Sequence, residues 1–360
     1  AFRLEEAPSG YSGGVFVSHL VANRARGGSV ATRRIMAIIE ARGLVRTYRS
    51  GTVRALDGLD LSVPEGTVKG LLGPNGAGKT TTVKVLNTLI RPDAGTATID
   101  GIDVLARPQD VRRIIGASGQ YAAVDENLTG LENLEMVGRL YRLGRKQARA
   151  RAAELIEAFD LVEAGRRPVK GFSGGMRRRI DLACAIVINP RILFLDEPTT
   201  GLDQRSRLAL WGIITDLVAG GTTVLLTTQY LEEADRLADH ISVIDHGRVI
   251  AEGTADELKA QVGGHRLVVT VVAESDTAIA RQVLTRVGHG PVHEGSSPRE
   301  LEVPIDGGPQ ALQTVLSELS AARVELHDAG IRRPTLDDVF LTLTGRPAED
   351  TETDTTEENR

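Results

Sequence analysis

The sequence predicts an α/β protein: a mostly parallel sheet with helices on its faces, followed by a smaller α+β domain. Three observations carry that prediction. First, Gly73-Pro74-Asn75-Gly76-Ala77-Gly78-Lys79-Thr80-Thr81 fits G-x-x-x-x-G-K-[ST], follows the apolar run Val68-Lys69-Gly70-Leu71-Leu72, and precedes a helix-like segment over residues 80–89. Second, from residue 192 short apolar strands (192–195, 222–227, 241–245) alternate with helical patterns (204–219, 230–238), which implies crossover connections and parallel pairing. Third, the order of elements changes after Gly263-Gly264.

In chain order, residues 1–35 are rich in Gly, Ser, Ala and Arg and carry no pattern. They are expected to be a disordered or artefactual extension, because Met36 opens the patterned sequence. Strand-like pieces at 37–41, 44–48 and 55–63 lead to the turn Pro64-Glu65-Gly66. Behind the first helix, Arg91-Pro92-Asp93-Ala94-Gly95 turns the chain into a strand at 96–99, and Asp100-Gly101 makes a hairpin into Ile102-Asp103-Val104. Leu131, Leu134, Val137 and Leu140 recur at helical spacing, as do residues 148–159, giving a helical subdomain over about 122–175. Ser173 can cap a helix over 174–188 that stops at Asn189-Pro190. Beyond the glycine pair, strands at 266–272, 292–294, 300–305 and 323–327 and helices at 278–287 and 311–321 give β-α-β-β-α-β, the ferredoxin-like order. The expected domains are therefore 36–262 and 263–346, with residues 347–360 an acidic tail that stays disordered.

Composition narrows the classes. A chain of 360 residues, 41% hydrophobic and 25% charged, has material for two ordinary cores. A net charge of -5 opposes binding driven by neutralising nucleic-acid phosphates, so no nucleic-acid partner is expected. The single cysteine, Cys184, excludes an internal disulfide, and its apolar neighbours make it a structural thiol. No apolar run approaches the about 18 residues of a membrane span. If the chain serves a membrane process, the spanning part is expected in another chain.

The first motif has a direct chemical reading. Its glycines let backbone N–H groups turn inward at a helix N-terminus, where phosphate is favoured. Lys79 would reach the β- and γ-phosphates and the Thr80 hydroxyl would hold Mg²⁺. Ile192-Leu193-Phe194-Leu195-Asp196-Glu197 is an apolar strand ending in two carboxylates. Beside a phosphate-binding strand, Asp196 would help hold Mg²⁺ and Glu197 would orient or deprotonate the attacking water.

Between these motifs lies Gly171-Phe172-Ser173-Gly174-Gly175-Met176-Arg177. With it the sequence resembles the nucleotide-binding subunits of ABC transporters. Their Ser-Gly-Gly stretch normally ends in Gln; this chain has Met176, with Phe172 ahead of the serine. The Ser173 hydroxyl, the Gly174 and Gly175 backbone and the helix N-terminus still form a second anion-binding surface. The resemblance implies that this surface completes the site of a partner subunit, sandwiching ATP in a head-to-tail homodimer. It further implies that Tyr48 stacks on adenine, that Gln120 reaches Mg²⁺ and the attacking water, and that Asp203 in Gly201-Leu202-Asp203 communicates across the dimer.

One position departs from the family. After Val224-Leu225-Leu226-Thr227-Thr228 most members carry a His that bonds the γ-phosphate, whereas this chain has Gln229. A Gln amide can donate a hydrogen bond but cannot carry a proton, so slow turnover is expected. Gln229 followed by Tyr230-Leu231-Glu232-Glu233-Ala234-Asp235, together with Arg332-Arg333-Pro334-Thr335-Leu336-Asp337-Asp338-Val339-Phe340, resembles the daunorubicin-resistance-type branch of bacterial drug-export ATPases. The second motif also reads as a helix capped by Thr335. The resemblance implies ATP and Mg²⁺ as cofactors, a peripheral place on the cytoplasmic side of the cell membrane, and an integral membrane permease that exports hydrophobic drugs or antibiotics. Two rivals are an ABC ATPase acting on ribosomes or DNA, and a scaffold that binds ATP but scarcely hydrolyses it. The single cassette and acidic balance oppose the first; Lys79, Asp196 and Glu197 oppose the second.

Overall fold

The computed structural model describes residues 37–48, 51–120, 123–261, 265–295, 297–305, 308–332 and 334–344. The expectations for residues 1–35 and 347–360 lie outside the described residues. Two compact units part at Gly253.

In the first unit, β1 (Ala37–Tyr48) pairs antiparallel with β2 (Val53–Pro64), and a register shift between Ala41 and Leu44 joins the two pieces visible in the sequence. β3 (Val68–Leu72) then leads through the glycine-rich loop into α1 (Lys79–Leu86). β4 (Ala94–Ile99) and β5 (Ile102–Asp103) complete an antiparallel sheet in the order β2-β1-β4-β5. Next come α2 (Pro108–Arg112), β6 (Ile115–Ser118), α3 (Gly130–Leu140), α4 (Arg145–Ala158) and α5 (Gly174–Ala185). β7 (Ile192–Asp196), α6 (Gln204–Ala219), β8 (Thr223–Thr228), α7 (Leu231–Leu237), β9 (His240–Asp245) and β10 (Arg248–Gly253) follow. The second sheet runs β10-β9-β3-β8-β7-β6, and its pairs β3–β9, β3–β8, β7–β8 and β6–β7 are parallel.

The central strands are buried along their whole length because both faces are covered. Leu193 and Leu195 of β7 pack with Ile180, Trp211 and Ile214, while Ile192 and Phe194 pack with Val83, Leu86 and the β2 leucines. Cys184 lies in the first of these cores, where burial and then Asp181 push its thiol up to about 12, an inert structural cysteine. α2, β6 and β10 are not anticipated by the sequence. β6 is only Ile-Gly-Ala-Ser, so its strand character comes from pairing with β7 and not from its own propensity.

The second unit contains α8 (Ala255–Gln261), β11 (His265–Val271), α9 (Thr277–Val287), β12 (His293–Glu294), β13 (Glu300–Ile305), α10 (Gly308–Ala321), β14 (Leu326–Arg332) and α11 (Leu336–Thr344). Its strands lie in the order β12-β13-β11-β14, antiparallel throughout. Leu267, Val269 and Val271 face Leu301, Val303 and Ile305 and are covered by Val283 and Leu284 of α9 and Val315 and Leu319 of α10. β14 starts later than the pattern suggests because Arg323, at φ 57, is spent on a turn. The boundary at Gly253 likewise precedes the expected Gly263-Gly264. The intervening α8 belongs with the second unit: it packs on α11, burying Leu258 against a helix whose own buried residues are Leu336, Val339 and Phe340. Thr335 caps that helix, its hydroxyl accepting from the Asp338 N–H at 3.3 Å while Asp338 Oδ2 accepts from the Thr335 N–H at 2.8 Å.

A fragment beginning at Gly253 is therefore expected to unfold cooperatively by itself. Within it, Leu258→Ala should cost about 2–5 kcal/mol, read as a lowered urea or thermal midpoint. An unchanged midpoint would detach α8 from this core.

Candidate functional site

Because β3 sits in the middle of its sheet, its C-terminal end delivers the glycine-rich loop to the centre of one sheet edge. Two glycines there have no substitute. A Cβ on Gly73 would lie 2.3 Å from the Ile244 carbonyl oxygen; Gly78 has φ 112, and a Cβ on it would lie 2.6 Å from the Ala55 carbonyl oxygen. The His246-Gly247 turn braces the loop from behind: Gly247 N–H donates to Ala77 O at 2.9 Å, and Asp57 N–H donates to Gly247 O at 3.0 Å. Gly78 is the N-cap of α1 and brings no side chain to the first turn, whose N–H groups stay open to an anion.

Lys79 is only 4% exposed. Its Nζ donates to Gly73 O at 2.6 Å and Pro74 O at 3.2 Å, and lies 3.6 Å from Glu197 Oε1. Burial pulls this ammonium below the usual lysine range; Glu197 first and then Asp196 draw it back. Asp196 Oδ1 accepts from Thr80 Oγ1 at 3.1 Å and from Thr227 Oγ1 at 2.5 Å. The Glu197 N–H donates to both Thr227 O and Thr227 Oγ1, each at 3.1 Å. Glu197 carries φ 48, a left-handed conformation that costs a non-glycine residue about 1–3 kcal/mol and persists only where neighbours enforce it. Its Oε2 accepts from Gln120 Nε2 at 3.4 Å and Thr200 Oγ1 at 3.5 Å.

Strand register explains this convergence. Leu72 pairs with Thr228, Asp196 with Thr227, and Ser118 with Leu195, so the segments after β3, β6, β7 and β8 leave the sheet at one edge. Lys79, Thr80, Asp196, Glu197 and Gln120 are thereby brought together, although the acidic strand β7 does not lie beside β3 as the sequence led us to expect: β8 stands between them and supplies Thr227. Gln229, half-buried, directly follows Thr228 at the same edge, and Thr81 is half-buried in the first turn of α1. Asn75 and Gly76 are exposed at the tip of the loop, whereas Ala77 is buried beneath it.

The other candidates hydrogen-bond elsewhere. Ser173 and Gly174 are exposed at the start of α5, where Ser173 Oγ accepts from the Met176 N–H at 3.3 Å. Gly175 is buried, and a Cβ there would lie 2.4 Å from Ser206 Oγ. Asp203 caps α6, accepting from the Ser206 N–H at 2.7 Å and Ser206 Oγ at 3.2 Å; these bonds hold its carboxyl below the usual range. The starts of α5 and α6 thus touch. Tyr48 closes β1 opposite Val53, with the Arg46 guanidinium 5.2 Å from its ring centroid.

Sequence reasoning missed three residues. Thr227 donates its hydroxyl to the Asp196 carboxylate and accepts from the Glu197 N–H, as given above. Arg178 is buried and donates to Pro198 O and Gly119 O, each at 2.6 Å, and to Asp196 O at 3.3 Å. Asp181 accepts from Ser118 Oγ at 2.5 Å and from the Ala123 N–H at 2.7 Å. Burial raises its carboxyl above the usual range, with Ser118, Ala123 and Arg178 opposing. The available signal was a basic and an acidic residue three apart, flanking Ile180, on a helix otherwise apolar on that face.

A family model described as ABC transporter matches residues 56–200, and one described as ATP-binding protein DrrA1-3-like, C-terminal domain, matches residues 253–344. The chain is 56% identical over 304 residues to the daunorubicin resistance ATP-binding protein DrrA2 of Streptomyces coeruleorubidus, covering 84% of this chain and 94% of that one. It is 54% identical over 316 residues to the daunorubicin/doxorubicin resistance ATP-binding protein DrrA of Streptomyces peucetius, covering 88% and 95%. Among solved structures, an ATP-binding subunit of an ABC transporter matches with TM-score 0.57 and 30% identity over 62% of this chain and 92% of that one. A dimeric ATP-binding cassette in a post-hydrolysis state with ADP and Pi matches with TM-score 0.56 and 27% identity over 60% and 98%. Phosphate loop, acidic strand and C-terminal unit agree with these matches: the chain belongs to the ABC transporter ATP-binding proteins, in their daunorubicin/doxorubicin-resistance branch.

Proposed function

We propose that the chain is the ATP-hydrolysing subunit of a bacterial exporter. It works as a homodimer on the cytoplasmic side of the cell membrane and energises efflux of hydrophobic drugs or antibiotics through a separate integral membrane permease. The observation that carries the catalytic part is the convergence of Lys79, Thr80, Asp196 and Glu197 at one sheet edge. The printed names of the relatives support the drug class. Among the described residues no helix is long and apolar enough to cross a membrane, which supports a separate permease.

In this reading the Gly73–Thr81 loop cradles the phosphates and Tyr48 stacks on the adenine. The Thr80 hydroxyl and the Asp196 carboxylate, 3.1 Å apart, are hard oxygen donors that suit Mg²⁺, and the Gln120 amide oxygen can join them. Such a sparse set leaves room for the water and phosphate oxygens that this ion retains, and the bound ion would offset charge on the β- and γ-phosphates. Glu197 takes a proton from the attacking water as the water oxygen bonds to the γ-phosphorus and the bond to the β–γ bridging oxygen breaks, giving ADP and Pi. The exposed Ser173 and Gly174 and the backbone of Gly175 offer the α5 N-terminus to a partner's nucleotide, with Asp203 beside them. The dimeric cassette among the solved structures supports that arrangement.

Glu197→Gln is expected to lower ATP turnover by about 10²–10⁴-fold while leaving nucleotide affinity near that of the parent. Parent-like hydrolysis would remove Glu197 from the mechanism. Gln229→His, which adds a group able to carry positive charge, should change the turnover rate more than the ATP affinity; an unaltered rate would show that this position does not touch the transferring phosphoryl. The export reading is tested by capturing the tagged chain from detergent-solubilised native membranes, with and without ATP. A multi-span membrane protein in near-equal amount is the expected companion, and ribosomal proteins or DNA-bound factors in its place would overturn that reading.

A further inference from the structure

We propose that Arg178, held by Asp181, is a positioning residue that sets Gln120 against Glu197 and links this pair to the Ser173–Gly175 end of α5. The inference rests on the reading of Glu197 as the group that receives the proton from water.

One guanidinium spans both sides of the catalytic pair. Its Nη1 donates to the carbonyl of Gly119, the residue before Gln120; its Nε and Nη2 donate to the carbonyls of Pro198 and Asp196, which flank Glu197. The planar fork fixes three backbone points in one frame, which a lysine ammonium cannot reproduce. Asp181, one helical turn on, secures the same strand from the other direction by accepting from Ser118 Oγ and the Ala123 N–H, and its Oδ2 lies 3.7 Å from Arg178 Nη1. The arginine and the aspartate together therefore hold residues 118, 119 and 123 on either side of Gln120.

Placement turns this frame into a link. Arg178 and Asp181 stand on α5, the helix whose first residues, Ser173 and Gly174, are exposed. Gly175 is pressed against Ser206 and Arg178 against the Asp196–Pro198 backbone, so the helix has no slack between its N-terminus and the acidic segment. A displacement of α5 on docking of a partner's nucleotide reaches the Gln120–Glu197 contact, which at 3.4 Å is long and sensitive to small movements. Both charged residues are buried, and a buried charged group is retained at a cost unless paired. Here the two form an ion pair at 3.7 Å, while their hydrogen bonds go to the groups around the reacting residues.

The test measures steady-state ATPase kinetics, nucleotide affinity and thermal midpoint for the full chain and for Glu197→Gln, Arg178→Gln, Arg178→Lys, Asp181→Asn and Gln120→Ala. Arg178→Gln should lower kcat by about 10–100-fold, the scale of lost hydrogen bonds to a charged group, with ATP affinity held within about twofold. Arg178→Lys should recover part of that loss. Adding Gln120→Ala to Arg178→Gln should cost much less than Gln120→Ala costs in the parent, because the two act through one contact. Equal losses in kcat and affinity, additive effects of Arg178 and Gln120, or an unchanged kcat would each overturn the proposal. Should the Arg178 variants fail to fold, Asp181→Asn carries the test, since it keeps the shape and one acceptor oxygen but removes the charge and replaces the other acceptor with an NH2 donor; a parent-like kcat in it overturns the link. A parent that hydrolyses ATP only as well as Glu197→Gln would instead refute the underlying hydrolase reading.

Discussion

The Asp196 carboxylate is the point on which the site depends. One oxygen accepts hydroxyl hydrogen bonds from Thr80, at the start of α1, and from Thr227, near the end of β8. Three chain segments far apart in sequence are thereby tied at the sheet edge, and the next residue, Glu197, is turned by Thr227 into a conformation it would not adopt freely. A buried carboxylate tolerates such a place only when hydrogen-bonded. Here the partners are one hydroxyl on the neighbouring parallel strand β8 and one on α1, which β3 leads into, and strand register is fixed by the apolar residues on both faces of β3, β7 and β8. Core packing and catalytic geometry are in this respect one constraint: a slip in strand pairing would move Thr227 away from Asp196 and turn each strand's buried residues to the wrong face.

Much of this was legible in advance, for identifiable reasons. β3, β7 and α6 were read within about a residue of their bounds because long apolar runs and a clear 3.6-residue period leave little choice. Lys79 and Thr80 were legible because their spacing from the glycines is itself the chemistry. Arg178 and Asp181 were not: a run of three arginines on a helix reads as a solvated face, and only the tertiary structure shows the middle one turned inward while Arg177 and Arg179 reach Glu126 and Asp160. The short β6 and the α8 boundary were hidden for the opposite reason, since their identity comes from what they pack on.

The residues that suggested the branch have a physical account of their own. In the segment that follows Gln229, Glu233 is wholly buried and accepts from Trp211 Nε1 at 3.0 Å, with burial raising its carboxyl above the usual range, while Leu231 and Ala234 face the core. In the C-terminal segment, Thr335 and Asp338 cap α11 and Val339 and Phe340 are buried. These motifs fasten helices. The groups proposed to meet phosphate and water, by contrast, converge where β3, β7 and β8 leave the sheet. In this chain both segments thus serve to tie the scaffold together, and the Arg178–Asp181 pair is a tie that reaches the backbone of the acidic segment itself.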